Sequence, residues 1–304
     1  MLHSIKLLGT TITSEREDKI LEYVIDHLHN GREKLFITTP NPEILVYAQS
    51  HPDYQDKLNE ANVALPDGAG LLLGGWVLGK PLRERIAGVD FIGKLCVESR
   101  EKPVSMGFLG GRDGVAELAA QRLQKKYPWI KVAWVGEEWG SGKNDAVRSS
   151  FEESRVEKDQ ARGGTVGRVH ASAQSRSSEH LREGDRDRTP IARRSESSTL
   201  HPSRSTPSLK TEIDILFVAY GFPKQEEWIY ENLPHLPVKA AMGVGGSFDY
   251  ISGRVTRAPK VIRVLGLEWL FRLTIQPWRW KRQLALVTFL FLILKDRFTV
   301  KKVY

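Results

Sequence analysis

Six short apolar runs, each closed by Gly, Pro, Asn or Asp, leave this chain few folds to choose from. Lys-Leu-Phe-Ile-Thr-Thr (34–39), Ala-Asn-Val-Ala-Leu-Pro (61–66) and the runs at 103–111, 129–136, 213–221 and 238–246 read as strands. Helix-like periods lie between them. Pro42, for example, suits a first helical turn, and Glu-Ile-Leu-Val-Tyr-Ala-Gln continues it. Strands alternating with helices build βαβ units, so the expected class is α/β with a mostly parallel sheet flanked by helices. Such sheets bind ligands beyond the carboxyl ends of their strands. The polar and Gly-rich motifs fall at those ends: Thr39-Pro40-Asn41, Pro66-Asp67-Gly68, Gly110-Gly111, Gly221 to Gln225, and Gly243 to Asp249.

One stretch breaks the pattern. From 152 to 210 there is no Phe, Tyr or Trp, and Ser, Arg, Gly and Glu crowd the sequence. Such a composition buries too little apolar surface to offset the entropy of ordering. Residues 151–210 therefore read as a disordered polar insertion between the fourth and fifth strands. An RNA-binding or phosphorylated arm is the alternative. Mixed charge signs and the lack of aromatics for stacking bases weigh against it.

The last part of the chain, 256–304, has its own chemistry. Gly-Leu-Glu-Trp-Leu-Phe-Arg-Leu (266–273) and Gln-Pro-Trp-Arg-Trp-Lys-Arg (276–282) interleave Trp and Phe with Arg and Lys. Aromatic rings favour the lipid headgroup level, and Lys and Arg favour anionic phosphates. The segment reads as a helical appendage lying on a membrane, or else as a basic helix packing on its own core. The apolar run that follows, 284–294, has 11 residues. A spanning helix needs about 20, so this run is expected to dip into an interface or close a core. The N-terminal Met-Leu-His-Ser-Ile-Lys lacks the pattern of a cleaved signal.

A length of 304 residues fits one large domain or two ordinary ones, and 40% apolar content supplies a core. The net charge of +8 and a pI near 9.5 suit an acidic partner such as phospholipid, nucleoside diphosphate or nucleic acid. The single Cys96 excludes an intrachain disulfide and sits in apolar surroundings, as a packed thiol would. The eight His are scattered, without zinc spacing.

Asp67 is the first candidate for chemistry. A carboxylate in a Pro-Asp-Gly turn at a strand end faces the ligand crevice, where it can take a proton from an acceptor hydroxyl. Pro-Asp-Gly is also simply a good turn. Arg83 and Arg85 offer guanidinium groups for a diphosphate, or else a solvated face beside Glu84. Gly243 to Asp249 brings backbone amides and small residues, notably Gly245 and Gly246, to a strand end. There a phosphate or nucleobase can approach closely, although the Walker and dinucleotide spacings are both absent. Gln225 opens a helix after the fifth strand. It is placed to bind a sugar hydroxyl or amide, or merely to start the helix.

Taken in order, several motifs resemble one family. They are Thr-Pro-Asn-Pro-Glu (39–43), Leu-Pro-Asp-Gly-Ala-Gly (65–70), Arg-Glu-Arg-Ile-Ala-Gly (83–88), Gly-Phe-Pro-Lys-Gln-Glu-Glu-Trp (221–228) and Gly-Val-Gly-Gly-Ser-Phe-Asp-Tyr-Ile-Ser-Gly (243–253). Arg-Ala-Pro-Lys (257–260) and the two tail motifs follow. Over about 1–150 and 211–295 the chain resembles the WecG/TagA/CpsF glycosyltransferases, family 26. The resemblance implies a Rossmann-like core over 1–150 and 211–255 and a membrane-associating appendage over 256–304. It implies an inverting transfer of N-acetylmannosamine from a UDP-sugar to GlcNAc-diphospho-undecaprenol, as in teichoic acid-like surface glycans. Glucose and ManNAc uronic acid are the alternative donors within the family. By position it places the base on Asp67 and the pocket on Thr39, Asn41, Arg85 and Gln225. Arg272, Arg279 and Arg282 would approach the lipid diphosphate. The polar insertion departs from the family, whose members join those two strands by one short helical connection.

These expectations make the partners a UDP-sugar, a polyprenyl-diphosphate-linked acceptor and an anionic membrane surface, with no nucleic acid. A homo-oligomer is compatible with the sequence. The expected location is cytoplasmic, peripheral on the inner face of the membrane. No Asp-X-Asp motif stands at a strand end, so Arg side chains and backbone amides, rather than a metal or other cofactor, are expected to neutralise the leaving UDP. The rival from another class is a non-catalytic nucleotide-sugar or nucleic-acid binding protein.

Overall fold

A computed structural model describes residues 2–139 and 213–300, without the side chains of 279, 281, 282, 299 and 300. The polar stretch 151–210 lies outside the described residues. An N-terminal hairpin opens the fold, with strand β1 (Ser4–Leu7) antiparallel to β2 (Thr10–Thr13). Its two turn residues, Leu8 and Gly9, both take positive φ, at 48° and 75°. That is the geometry a two-residue hairpin loop requires.

The core is a six-stranded parallel sheet in the order β4-β3-β8-β7-β5-β6. Its strands are β3 (Leu35–Thr38), β4 (Val63–Ala64), β5 (Ser105–Gly110), β6 (Lys131–Gly136), β7 (Ile213–Ala219) and β8 (Val238–Gly243). The six runs read from the sequence are these six strands. The central strands are apolar almost throughout because helices cover both faces. Every residue of β3 and β5 is buried. Phe108 lies in register with Phe217, which in turn pairs with Met242. Cys96 is buried with its Sγ 3.9 Å from Met106 Sδ, and burial pushes its thiol up to about 12, so it packs as a small apolar group.

Helices α1 (Glu17–Asn30), α2 (Pro42–Ser50), α3 (Pro52–Asn59), α4 (Ala69–Val77), α5 (Gly88–Glu98), α6 (Val115–Lys126) and α7 (Lys224–Asn232) connect or flank the strands. The short α8 (Ser247–Ile251) follows β8. Asn41 caps α2, its Oδ1 accepting the amide of Ile44 at 3.0 Å, and Pro42 occupies the first turn.

The C-terminal segment forms α9 (Lys260–Val264), α10 (Glu268–Ile275) and α11 (Trp280–Val300). Helix α11 resolves one alternative left by the sequence, because one side of it closes a core. Phe289 and Ile293 are fully buried among Leu7, Leu45, Leu71 and Leu82. Gly74 of α4 makes this possible, since a Cβ there would stand 2.7 Å from Phe289 Cζ. The other side of α11 leaves Leu284, Val287, Phe291 and Phe298 exposed. Among the described residues, no helix is long and apolar enough to cross a membrane.

Candidate active site

The carboxyl ends of β3, β4, β5, β7 and β8 open into a cleft of about 950 Å³, roofed on one side by the C-terminal segment. Thr39, Asn41, Asp67, Arg85, Gln225, Gly245, Gly246 and Arg272 all line it. The side chains of Arg279 and Arg282 lie outside the described residues.

Asp67 follows β4 in a turn held from both sides. Its amide donates to the carbonyl of Pro40 at 2.9 Å, and the amide of Ile86 donates to the carbonyl of Pro66 at 2.9 Å. Gly68 takes φ 99°, which only glycine adopts without strain, and so turns the chain into α4. Burial pushes the Asp67 carboxyl up to about 6, with Arg85 pulling it down and Glu268 adding to the rise. A carboxylate of that basicity is ionised at neutral pH and still a competent proton acceptor.

The candidate ligand residues divide by what the fold already asks of them. Thr39 Oγ1 donates to the carbonyl of Gly243 at 3.0 Å and ties the end of β3 to the end of β8. Asn41 is the α2 cap. Gln225 is buried and fully engaged by the protein: its Nε2 donates to Glu226 Oε1 at 2.6 Å, and its Oε1 accepts the amide of Gly245 at 2.9 Å. Burial pushes Glu226 up to about 7. Gln225 thus braces the glycine loop. Gly245 needs that brace, because its φ is 50° and a Cβ there would point into open space, so the loop backbone itself faces the cleft.

Arg272 of α10 reaches over this loop. A Cβ on Gly246 would lie 3.3 Å from Arg272 Nη2, and the guanidinium rests 5.1 Å from the centre of the Tyr250 ring. A cation thus stands over bare loop backbone, an arrangement suited to a phosphate oxygen. Arg85 lies near Asp67 and gives Nη1 to Glu268 Oε2 at 3.2 Å. Glu268 Oε1 accepts from Arg257 Nε at 3.0 Å, and Arg257 grips Asp90 through both Nη atoms at 2.6 Å each.

Glu268, Arg257 and Asp90 were not singled out from the sequence. Glu268 is 183 residues from Arg85, and spacing carries no signal of that pairing. The one available hint was an acid standing alone in a basic, aromatic run. Among the described residues, no group of three His, Cys, Asp or Glu side chains forms a metal-ligand set. Five arginines line the cleft and supply charge complementary to an anionic ligand: Arg85, Arg112, Arg254, Arg257 and Arg272.

The model of the glycosyl transferase WecG/TagA/CpsF family matches residues 5–157 and 209–303. The chain belongs to this family. It is 29% identical to the N-acetylglucosaminyldiphosphoundecaprenol N-acetyl-beta-D-mannosaminyltransferase of Bacillus subtilis (strain 168), over 100% of this chain and 94% of that protein. It is 30% identical to the protein of the same name from Bacillus spizizenii, over 94% of this chain and 91% of the relative. A third of that name, from Staphylococcus aureus (strain MRSA252), is 28% identical over 98% of this chain and 95% of the relative. The family match passes over 158–208, within the polar stretch that departs from the WecG/TagA/CpsF pattern.

Proposed function

We propose that this chain transfers N-acetylmannosamine from a UDP-sugar to the 4-hydroxyl of a GlcNAc unit carried on a polyprenyl diphosphate, with inversion at the transferred carbon. The observation that carries this reading is the placing of Asp67, Arg85 and Arg272 on one cleft at the sheet's carboxyl edge, in a chain whose full-length relatives bear that activity in their names. Asp67 is the base that takes the acceptor hydroxyl proton as that oxygen attacks. Arg85 and Arg272, the latter over the bare backbone at Gly246, meet the charge that grows on UDP as the glycosidic bond breaks. Thr39, Asn41 and Gln225 line the donor pocket and hold the strand ends and the glycine loop in place. By the family resemblance, Arg279 and Arg282 are proposed to bind the acceptor diphosphate.

The C-terminal segment is proposed to rest on an anionic membrane surface at the cytoplasmic face, bringing the lipid-linked acceptor to the cleft. The exposure of Trp278 (71%) and Trp280 (53%) supports this, since Trp favours the headgroup level, and exposed apolar side chains such as Val264 (78%) gain from burial in lipid. Residues 151–210 are proposed as a polar insertion with no part in the transfer.

The test is UDP release and product formation with UDP-N-acetylmannosamine and a GlcNAc-diphospho-lipid, beside parallel reactions with UDP-glucose and the uronic acid donor. Turnover confined to the N-acetylmannosamine donor is expected. Preference for another donor would move the chain within its family. UDP-sugar binding without turnover on any pair would leave only the non-catalytic binding reading.

A further inference from the structure

One acidic side chain in the cleft has no task in the transfer as described above. Glu268 stands at the start of α10, with 17% of its side chain exposed. It bridges two guanidinium groups, Arg85 at 3.2 Å and Arg257 at 3.0 Å. Arg257 cannot follow Glu268 freely, because Asp90 of α5 holds both its Nη atoms at 2.6 Å and is itself 3.4 Å from Arg263 Nη1 on α9. Burial alone would push Asp90 up, but the hydrogen bonds and charge of Arg257 hold it below the ordinary range, so this anchor stays ionised. Glu268 is therefore fixed from behind, and it fixes one edge of the Arg85 guanidinium in turn. A guanidinium is a planar fork, so holding one edge sets the direction of the other.

The ion pairs of the cleft run through Glu268 and Asp90 rather than through Asp67. Four charged groups face Asp67: Arg85 and Arg257 favour its ionised form, and Glu268 and Asp90 oppose it. Without Glu268, the Arg85 charge is left to Asp67, on which it already acts, because Asp90 is held by Arg257 and Arg263. A base locked in an ion pair with Arg85 would be weaker, and Arg85 would turn away from the donor. We propose that Glu268 is a positioning residue: it holds the Arg85 guanidinium off the Asp67 carboxylate, so that Arg85 is presented to the donor diphosphate and Asp67 stays open to the acceptor hydroxyl. The proposal rests on the reading of Asp67 as base and Arg85 as donor ligand.

The test uses the full chain and Glu268→Gln, which keeps shape and removes charge. The pH profile of kcat/KM is recorded with a soluble GlcNAc-diphospho acceptor, and the Asp67 carboxyl is titrated by carbon NMR, which needs no turnover. Neutralising Glu268 removes a charge that opposes ionisation of Asp67 and frees one that favours it. The acid limb and the NMR titration are therefore both expected to move to lower pH by about half a unit or more. Turnover on the alkaline plateau is expected to fall about threefold or more, from a weaker base and from an Arg85 turned away from the donor. Glu268→Asp, keeping the charge, should return the limb toward the parent's. If Glu268→Gln does not fold, Arg257→Lys, which loosens the anchor behind Glu268, should shift the titration the same way by less. An unmoved titration with activity lowered equally at every pH would overturn the proposal in favour of a purely structural bridge. A rise in activity with tighter UDP binding would overturn it by making Glu268 a plug on Arg85. If the parent turns over no UDP-sugar, the transferase reading fails, while the NMR displacement still decides whether Glu268 keeps Arg85 off Asp67.

Discussion

Strand β5 and helices α9 and α10 are all rich in apolar residues and meet opposite fates. All six residues of β5 are buried, whereas α9 and α10 bury none. Helix α11 shows both outcomes on one element, with Phe289 at 0% exposure and Phe291 at 66%. An apolar pattern states that a surface favours cover, and topology decides what covers it. The sheet finds its cover within the chain. Among the described residues, the C-terminal segment finds it along the Phe289–Ile293 side, and its outer side is proposed to find it at a lipid surface.

The largest stability effect separates the two sides of α11. Phe289→Ala should cost about 3–5 kcal/mol, because it opens a cavity against Gly74 and the Leu71 cluster. Phe291→Ala, two residues on, should stay within about 0.5 kcal/mol of the parent. Chemical denaturation of both variants checks this, and equal losses would mean that the outer side is packed as well.

A smaller effect concerns lipid. Replacing Phe291 and Trp278 together by Ser should leave the melting temperature nearly unchanged and weaken flotation with anionic vesicles. Neutral vesicles should bind parent and variant alike weakly, because the Arg and Lys contributions, about 1 kcal/mol each near an anionic surface, are lost there. Binding that ignores both the substitutions and the lipid charge would make the segment a packing element only.

The smallest effect is on stability and reverses the usual direction. Asp67 has its folded pKa raised from 3.8 to about 6. Its contribution to stability is thus fully present below 3.8 and is lost as pH rises through about 6. Asp67→Asn should match the parent at pH 3.5 and be more stable than it at pH 8, as thermal melts at the two pH values would show. Clear destabilisation at pH 8 would mean that the ionised carboxylate holds the turn together.

The sheet was legible in the sequence because strands buried on both faces are apolar almost throughout and end abruptly at Gly, Pro and Asp. The β1–β2 hairpin was not, since its turn puts Leu8 at positive φ, where Asn, Asp or Gly would have marked it. In the site, the positions were legible and the partners were not. Polar residue types at strand ends promise hydrogen bonds without saying to what. Thr39, Asn41 and Gln225 make theirs to Gly243, Ile44 and Gly245. The Arg85–Glu268–Arg257–Asp90 chain depends on contacts between segments far apart in the sequence, which no local pattern encodes.

The Asp67 carboxylate is proposed as the base of a transfer reaction in this cleft. The most direct measurement is kcat/KM against pH for the parent and Asp67→Asn, on UDP-N-acetylmannosamine and a soluble GlcNAc-diphospho acceptor, with UDP affinity measured alongside. The parent should lose activity as pH falls through about 6, when Asp67 takes up its proton. Asp67→Asn should bind UDP within a few fold of the parent, turn over about a hundredfold or more slowly, and lack that acid limb. A variant that keeps near-parent turnover, or keeps the limb, would contradict the account.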